Sequence, residues 1–309
     1  MRSTAYYLLP ASASNTHKTY QTGWRAFCAF RCQQFEACFP SSPADVRRFI
    51  AWLSLQRLAP STIATYVSGF GYYHKIHGWP DPTKDFVVTK LLMGCRRDNP
   101  VTDGRWPMTL PVLTHIIQAL PHVCKDHYEV ALFHAVMLCA FFCFMRISEF
   151  AAVSKTNIQS SLILASDVEF TNLGQDNASV SVTFRYTKNN QMGIPQIVEL
   201  IRSGDETICP VRALTLYAQM RPKREGSFFC HFGGDPLTQY QFNATLKRVL
   251  IFLGLGGSPF SAHSFRIGAA STAALLGFSF DEVKAMGRWR SDAAQLYIRP
   301  IAPGQPPGV

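Results

Sequence analysis

Few residues in this chain have types and spacings that could do chemistry, and most of them are cationic. Arg146 stands in Met145-Arg146-Ile147-Ser148-Glu149, closing a long apolar run where an unpaired charge is costly. Glu149, three residues on, falls on the same helical face and could hold the guanidinium. The plain reading of the two is a structural ion pair. Lys188, in Tyr186-Thr187-Lys188-Asn189-Asn190, follows an alternating apolar stretch, the usual place for a solvated turn lysine. His263-Ser264-Phe265-Arg266 places an imidazole and a guanidinium three apart at a helix start. Trp289, in Gly287-Arg288-Trp289-Arg290-Ser291-Asp292, precedes Tyr297 by eight residues, and either ring could be core. Each of these has an ordinary structural reading when taken singly.

Other chemistries are poorly served. Cys28, Cys32 and Cys38 lie within eleven residues, but no second pair follows at the spacing a zinc site uses. Cys139 and Cys143 sit in the most apolar segment, where thiols behave as small hydrophobes. Gly254-Leu255-Gly256-Gly257-Ser258 lacks the Lys-Ser/Thr of a phosphate loop and reads as a helix-ending turn. No G-x-S-x-G elbow is present. Neither a metal nor a cofactor is expected.

The elements that must position the cations follow from composition and periodicity. The chain has 309 residues, 47% of them apolar and 16% charged, with net charge +10. That is enough for two domains with real cores and too apolar for a disordered chain. Residues 1–100 carry twelve Lys/Arg against five acids, +7 of the total, leaving +3 for the remaining 209. A basic surplus points to nucleic acid or an anionic membrane. The membrane is disfavoured: the longest apolar run, Val130 to Met145, is 16 residues and contains His134, short of the ~20 a span needs. The start of the chain lacks the apolar core of a signal peptide. Nine scattered cysteines fit a reducing intracellular compartment.

Residues 1–98 read as a helical bundle. Tyr20, Trp24 and Phe27 share one face. Ser42-Pro43 with Asp45 marks a helix start, followed by the stripe Val46, Phe49, Ile50 and Leu53 with Arg47 and Arg48 beside it. Pro60-Ser61 opens a third helix with Ile63, Tyr66, Val67 and Phe70 facing inward, and a fourth runs from about Lys84 to Arg97. Arg47, Arg48, Arg96 and Arg97 are the candidate DNA-phosphate contacts. Residues 99–107 have no period and read as a linker. Residues 108–309 read as α+β, mainly helical with a small sheet. Helices are predicted near Leu110–Leu120, up to about Arg146, and over Pro210–Met220, Gln239–Leu253, Ser264–Leu276 and Phe280–Met286. Extended segments are predicted at Leu162–Ala165, Ser179–Tyr186 and Ile194–Leu200.

Weak one by one, the candidates are specific in order. Arg146 with Glu149, Lys188, His263-x-x-Arg266, Trp289 and Tyr297 together resemble the tyrosine recombinase/integrase superfamily. The wording Met-Arg-Ile-Ser-Glu-Phe, His-Ser-Phe-Arg and Gly-Arg-Trp-Arg-Ser-Asp-Ala…Tyr-Ile-Arg is most similar to recombinases of eukaryotic DIRS-like and Crypton mobile elements. The resemblance implies a helical core-binding domain followed by a catalytic domain. It also implies cleavage of duplex DNA by Tyr297 through a 3′-phosphotyrosyl bond, for recombination or integration. Arg146 and Arg266 would clamp the phosphate, His263 would donate to it or act as base, Lys188 would protonate the leaving 5′-oxygen, and Trp289 would position. Glu149 would support Arg146. A multimeric synapse on DNA and a nuclear site of action belong to the same implication. A type IB topoisomerase-like activity and a non-catalytic DNA-binding descendant of the fold are the alternatives. Two departures from the family pattern stand out. The Trp289–Tyr297 interval is one residue shorter than in bacterial members, and only twelve residues follow Tyr297.

Overall fold

The computed structural model describes residues 14–33, 40–100, 103–187, 190 and 193–300. The chain divides between Asp103 and Gly104 into two compact units. Among its described residues the first holds four α-helices, α1 (Ser14–Gln33), α2 (Pro43–Leu55), α3 (Pro60–Ile76) and α4 (Phe86–Asp98). α2 starts on a reciprocal cap: Ser42 Oγ accepts from the Asp45 N–H, and the Asp45 carboxylate accepts from the Ser42 N–H, 2.8 Å. Pro43 fills the first turn, where no N–H is needed. Asp85 caps α4 by accepting from the Val87 and Val88 N–H groups, so this helix begins two residues later than Lys84. The apolar stripes meet in one core around Phe27, Phe49, Ile50, Val67 and Phe70. α1 and α3 come close because two glycines face the opposing backbone. A Cβ on Gly23 would lie 2.7 Å from the Tyr66 Cα, and one on Gly69 would lie 2.8 Å from the Tyr20 Cα.

The second unit is built around α6 (His127–Phe142), whose run from Ala135 to Phe141 is buried all round, as expected for a helix apolar on every face. Against it pack α5 (Leu110–Val123), the short α7 (Ile147–Phe150), α8 (Pro210–Met220) and α10 (Ala262–Leu275), while α9 (Gln239–Phe252) lies on α5 and α10, and the short α11 (Phe280–Met286) on α10. Three antiparallel strands, β1 (Val168–Thr171), β2 (Ser179–Phe184) and β3 (Gln196–Ile201), form a meander in the order β1-β2-β3. The register pairs Val168 with Val182 and Val180 with Leu200. Val180, Val182, Phe184 and Leu200 therefore cover the core, while Ile197 and Ile201 point to solvent. No helix among the described residues is long and apolar enough to cross a membrane.

Two local expectations are corrected. Leu162–Ala165 is not a strand of the sheet. Its backbone serves the site region instead: the Ile163 N–H donates to the Glu149 carbonyl, 2.9 Å, and the Ala165 N–H to the Gly226 carbonyl. The apolar helix also ends earlier than Arg146, at Phe142, with consequences for the site.

Candidate active site

The two helices that flank the site, α6 and α11, end in the same way. After α6, the Phe144 N–H bonds the Phe141 carbonyl and the Met145 N–H bonds the Ala140 carbonyl. After α11, the Arg288 N–H bonds Ala285 and the Trp289 N–H bonds Lys284. Both are Schellman closures, whose left-handed residue is normally glycine. Here that residue is Phe144 (φ +50°) in one case and Arg288 (φ +56°) in the other. A side chain in this conformation costs roughly 1–2 kcal/mol, so it persists where tertiary contacts hold it.

Those contacts are guanidiniums. Arg266, at the start of the second turn of α10 and fully buried, donates from Nη1 to the Phe144 carbonyl and from Nη2 to the Gly287 carbonyl, 2.6 Å. Arg288 donates from Nη1 to the Cys143 carbonyl, 2.7 Å, and from Nη2 to Glu149 Oε2, 3.0 Å. The negative ends of two helices thus face two buried cations, the favourable arrangement of charge and dipole. Arg146 is the residue before α7, not the last residue of α6. Its N–H donates to Glu149 Oε2, 3.0 Å, and its Nη1 to Glu149 Oε1, 3.1 Å. Glu149 is 1% exposed, while the Arg146 side chain keeps 15% of its surface.

The rings close the arrangement. The Arg266 guanidinium lies 4.1 Å from the Trp289 ring centroid and 5.5 Å from that of Tyr297. Tyr297 sits 4.9 Å from Trp289 and 5.0 Å from His263, centroid to centroid. Trp289 packs directly on Gly287, where a Cβ would fall 1.6 Å from the indole Cζ3, so this position excludes every other residue. Tyr297 follows a 3-10 turn (Asp292–Leu296) capped by Ser291. Its carbonyl accepts from Ser271 Oγ, 3.2 Å; that same Oγ accepts from the Arg299 N–H, and the Arg299 side chain donates to the Arg105 carbonyl. The phenol is therefore fixed beside the cations of its own chain.

Three guanidiniums against one carboxylate leave two positive charges in surplus. Burial pulls Arg266 down to about 9, Arg146 pushes it the same way, and Glu149 opposes both. It stays protonated at neutral pH, and an anion beside it would restore it. Arg266 Nε and Trp289 Nε1 are buried and have no acceptor among the described residues. Buried donors of this kind are costly unless something accepts from them. The arrangement fits a phosphoryl group, since guanidinium forks match phosphate oxygens. No group of metal-ligating side chains occurs among the described residues.

Of the sequence-derived candidates, Arg146, Glu149, His263, Arg266, Trp289 and Tyr297 converge here. Lys188 lies outside the described residues; its neighbours Thr187 and Asn190 pair with each other through two 3.0 Å backbone bonds. Arg47, Arg48, Arg96 and Arg97 lie in the first unit. Arg47 Nε donates to the Pro43 carbonyl and Arg48 to Asp45, while Arg96 and Arg97 are exposed in the last turn of α4. The residue missed by sequence reasoning is Arg288, visible only as the neighbour of Trp289.

No known protein-family pattern matches the chain. Over 76 residues it is 28% identical to the Cre recombinase of Escherichia phage P1, a stretch covering 25% of this chain and 21% of that protein. The match thus spans about a fifth of that relative. Among solved structures, the chain is similar to the XerH site-specific recombinase bound to palindromic difH substrate, with TM-score 0.59 and 14% identity over 92% of this chain and 75% of that one. It is similar to the Tn1549 transposon integrase in complex with transposon right end DNA, with TM-score 0.58 and 10% identity over 93% and 95%. A lambda integrase dimer bound to a core site gives TM-score 0.58 and 12% identity over 95% and 75%. The fold is that of the tyrosine recombinases. Within that fold, Tyr297 lies against the guanidinium cluster of the second unit.

Proposed function

We propose that this chain is a tyrosine recombinase that cuts and rejoins duplex DNA through Tyr297. The observation that carries the reading is the phenol ring set against Arg266, Trp289 and His263 beside a cluster with two positive charges in surplus. In the forward step Tyr297 Oη attacks the scissile phosphorus, its proton passing to His263. The P–O5′ bond breaks, and the 5′-oxygen takes a proton from Lys188. Arg146 and Arg266 compensate the charge that gathers on the nonbridging oxygens, and Trp289 Nε1 supplies a further donor. One phosphodiester is exchanged for one phosphotyrosyl ester, so rejoining needs no external energy. The contrast with Mg²⁺-assisted transfer is that protein cations carry the compensation.

The basic first unit would hold phosphates through its exposed arginines, positioning the duplex without reading sequence. Recombination or integration implies self-association on two DNA sites. The wording around Arg146, His263 and Trp289 supports placement with the eukaryotic mobile-element recombinases and hence a nuclear site of action. Since the Tyr297 carbonyl accepts from Ser271 and Arg299, two residues on, is held by Ser271 and Arg105 of the same chain, each subunit would cleave with its own tyrosine.

The test is incubation with nicked, random-sequence duplexes followed by an SDS quench. A covalent protein–DNA adduct is expected from wild type and none from Tyr297→Phe. DNA binding without an adduct in either protein would favour a non-catalytic descendant of the fold. Mixing Tyr297→Phe with Arg266→Ala protomers should restore no cleavage; restored cleavage would show that tyrosines serve a neighbouring subunit.

A further inference from the structure

We propose that Arg288 is a positioning residue for the phosphate clamp, acting on Arg146 through Glu149; this rests on the phosphoryl-transfer reading above. Arg288 occupies a left-handed helix-ending position where glycine would be unstrained. Its side chain is 3% exposed, so it does not reach a DNA backbone. The guanidinium is stacked 3.6 Å from the Phe184 ring centroid and anchored on the Cys143 carbonyl, which leaves Nη2 aimed at Glu149 Oε2. The other carboxylate oxygen, Oε1, takes Arg146 Nη1.

The consequence is electrostatic as well as geometric. A carboxylate facing one guanidinium closes on it as a neutral pair. A carboxylate shared between two leaves surplus charge, and only Arg146 of the two has solvent access through which to offer it. Arg288 also fixes the plane of the Glu149 carboxylate, and with it the direction of the Arg146 fork. Removing Arg288 would let Glu149 turn fully onto Arg146 and lower the surplus by one.

The test measures inorganic phosphate binding at fixed ionic strength, read as the rise in Tm with phosphate concentration. It compares wild type, Arg288→Met, Arg288→Gly and Arg146→Met. Arg288→Gly relieves the backbone strain, so it supplies a folded variant should Arg288→Met not fold. Arg288 variants are expected to weaken phosphate binding about 10–100-fold, the range seen for groups that orient the ligands of a metal site. The double variant Arg288→Gly/Arg146→Met is expected to lose less than the sum of the two single losses, since the part of the Arg288 effect that runs through Arg146 is already gone. Unchanged phosphate affinity in a folded Arg288 variant, additive losses in the double variant, or no phosphate binding by wild type would each overturn the proposal. Adduct formation on nicked duplex is measured in parallel. Phosphate binding that depends on Arg288 with no adduct from wild type would sink the recombinase reading and leave the positioning role standing.

Discussion

Each unit of this chain buries a carboxylate among arginines, and the two clusters differ in what is left over. In the first unit Asp45 accepts from Arg31 (2.5 Å), Arg48 (2.6 Å) and the N–H and Oγ of Ser42. Burial would raise its pKa, yet the Ser42 and Arg48 hydrogen bonds and the Arg31 charge outweigh that and hold its carboxyl below the usual range. The acid is saturated, and its Arg48 partner remains half exposed. In the second unit Glu149 shares its two oxygens between Arg146 and Arg288, a third guanidinium sits close by on helix-end carbonyls, and Arg266 Nε, Arg288 Nε and Trp289 Nε1 are buried without an acceptor among the described residues. Residue types are the same in both places. The first cluster carries its one extra charge on half-exposed Arg48, in water, while the second keeps two charges in surplus beside buried donors left without an acceptor.

That contrast can be broken by substitution, and the largest effect falls on the nucleophile. Tyr297→Phe should abolish adduct formation while leaving DNA binding intact in a gel-shift measurement, because only the hydroxyl is lost. Arg266→Lys comes next. A lysine cannot span the Phe144 and Gly287 carbonyls, so single-turnover cleavage should fall about 10²–10³-fold, with a lowered Tm as well. Cleavage unchanged by this substitution would mean that the surplus charge is not used on phosphate.

Asp45→Asn probes the saturated cluster. It leaves Arg31 buried without its counter-charge, and thermal or urea unfolding should register a loss of about 3–5 kcal/mol. Phosphate affinity of the second unit should not change. The pH dependence has a definite sign. Asp45 has a lowered folded value, so its contribution is complete above the unfolded value near 3.9. It is lost as pH falls through the folded one. The variant should therefore lose less stability than wild type on acidification below about pH 4. The smallest effect is Trp289→Phe, which keeps a ring over Gly287 but removes the Nε1 donor. Cleavage should slow about 2–10-fold, the worth of one neutral hydrogen bond.

Much of this was legible in the sequence, and the exceptions have a common cause. The Ser42-Pro43-x-Asp45 start and the bundle's apolar stripes are local signals, and the helices form where they indicate. Arg146, His263, Arg266, Trp289 and Tyr297 were visible as an ordered set, and the fold brings them to one place. The end of α6 was not visible, because no glycine or proline stops it. It ends where the Cys143 and Phe144 carbonyls are captured by Arg288 and Arg266, 145 and 122 residues away in the chain. Leu162–Ala165 has the apolar run of a strand, but its N–H groups go to Glu149 and Gly226. Arg288 was hidden for a related reason: nothing in Gly287-Arg288-Trp289 says that the arginine takes the left-handed position. Distant partners decided all three cases.

The central claim is that Tyr297 becomes covalently joined to DNA at a 3′-phosphate. It is tested most directly by trapping the adduct on nicked duplex, digesting protein and DNA, and mapping the nucleotide-bearing peptide by mass spectrometry. The released DNA end is tested in parallel for labelling by polynucleotide kinase. The account predicts a nucleotide on Tyr297 and a free, labelled 5′-hydroxyl. A nucleotide on any other residue, or a 5′-phosphate on the released end, would contradict it.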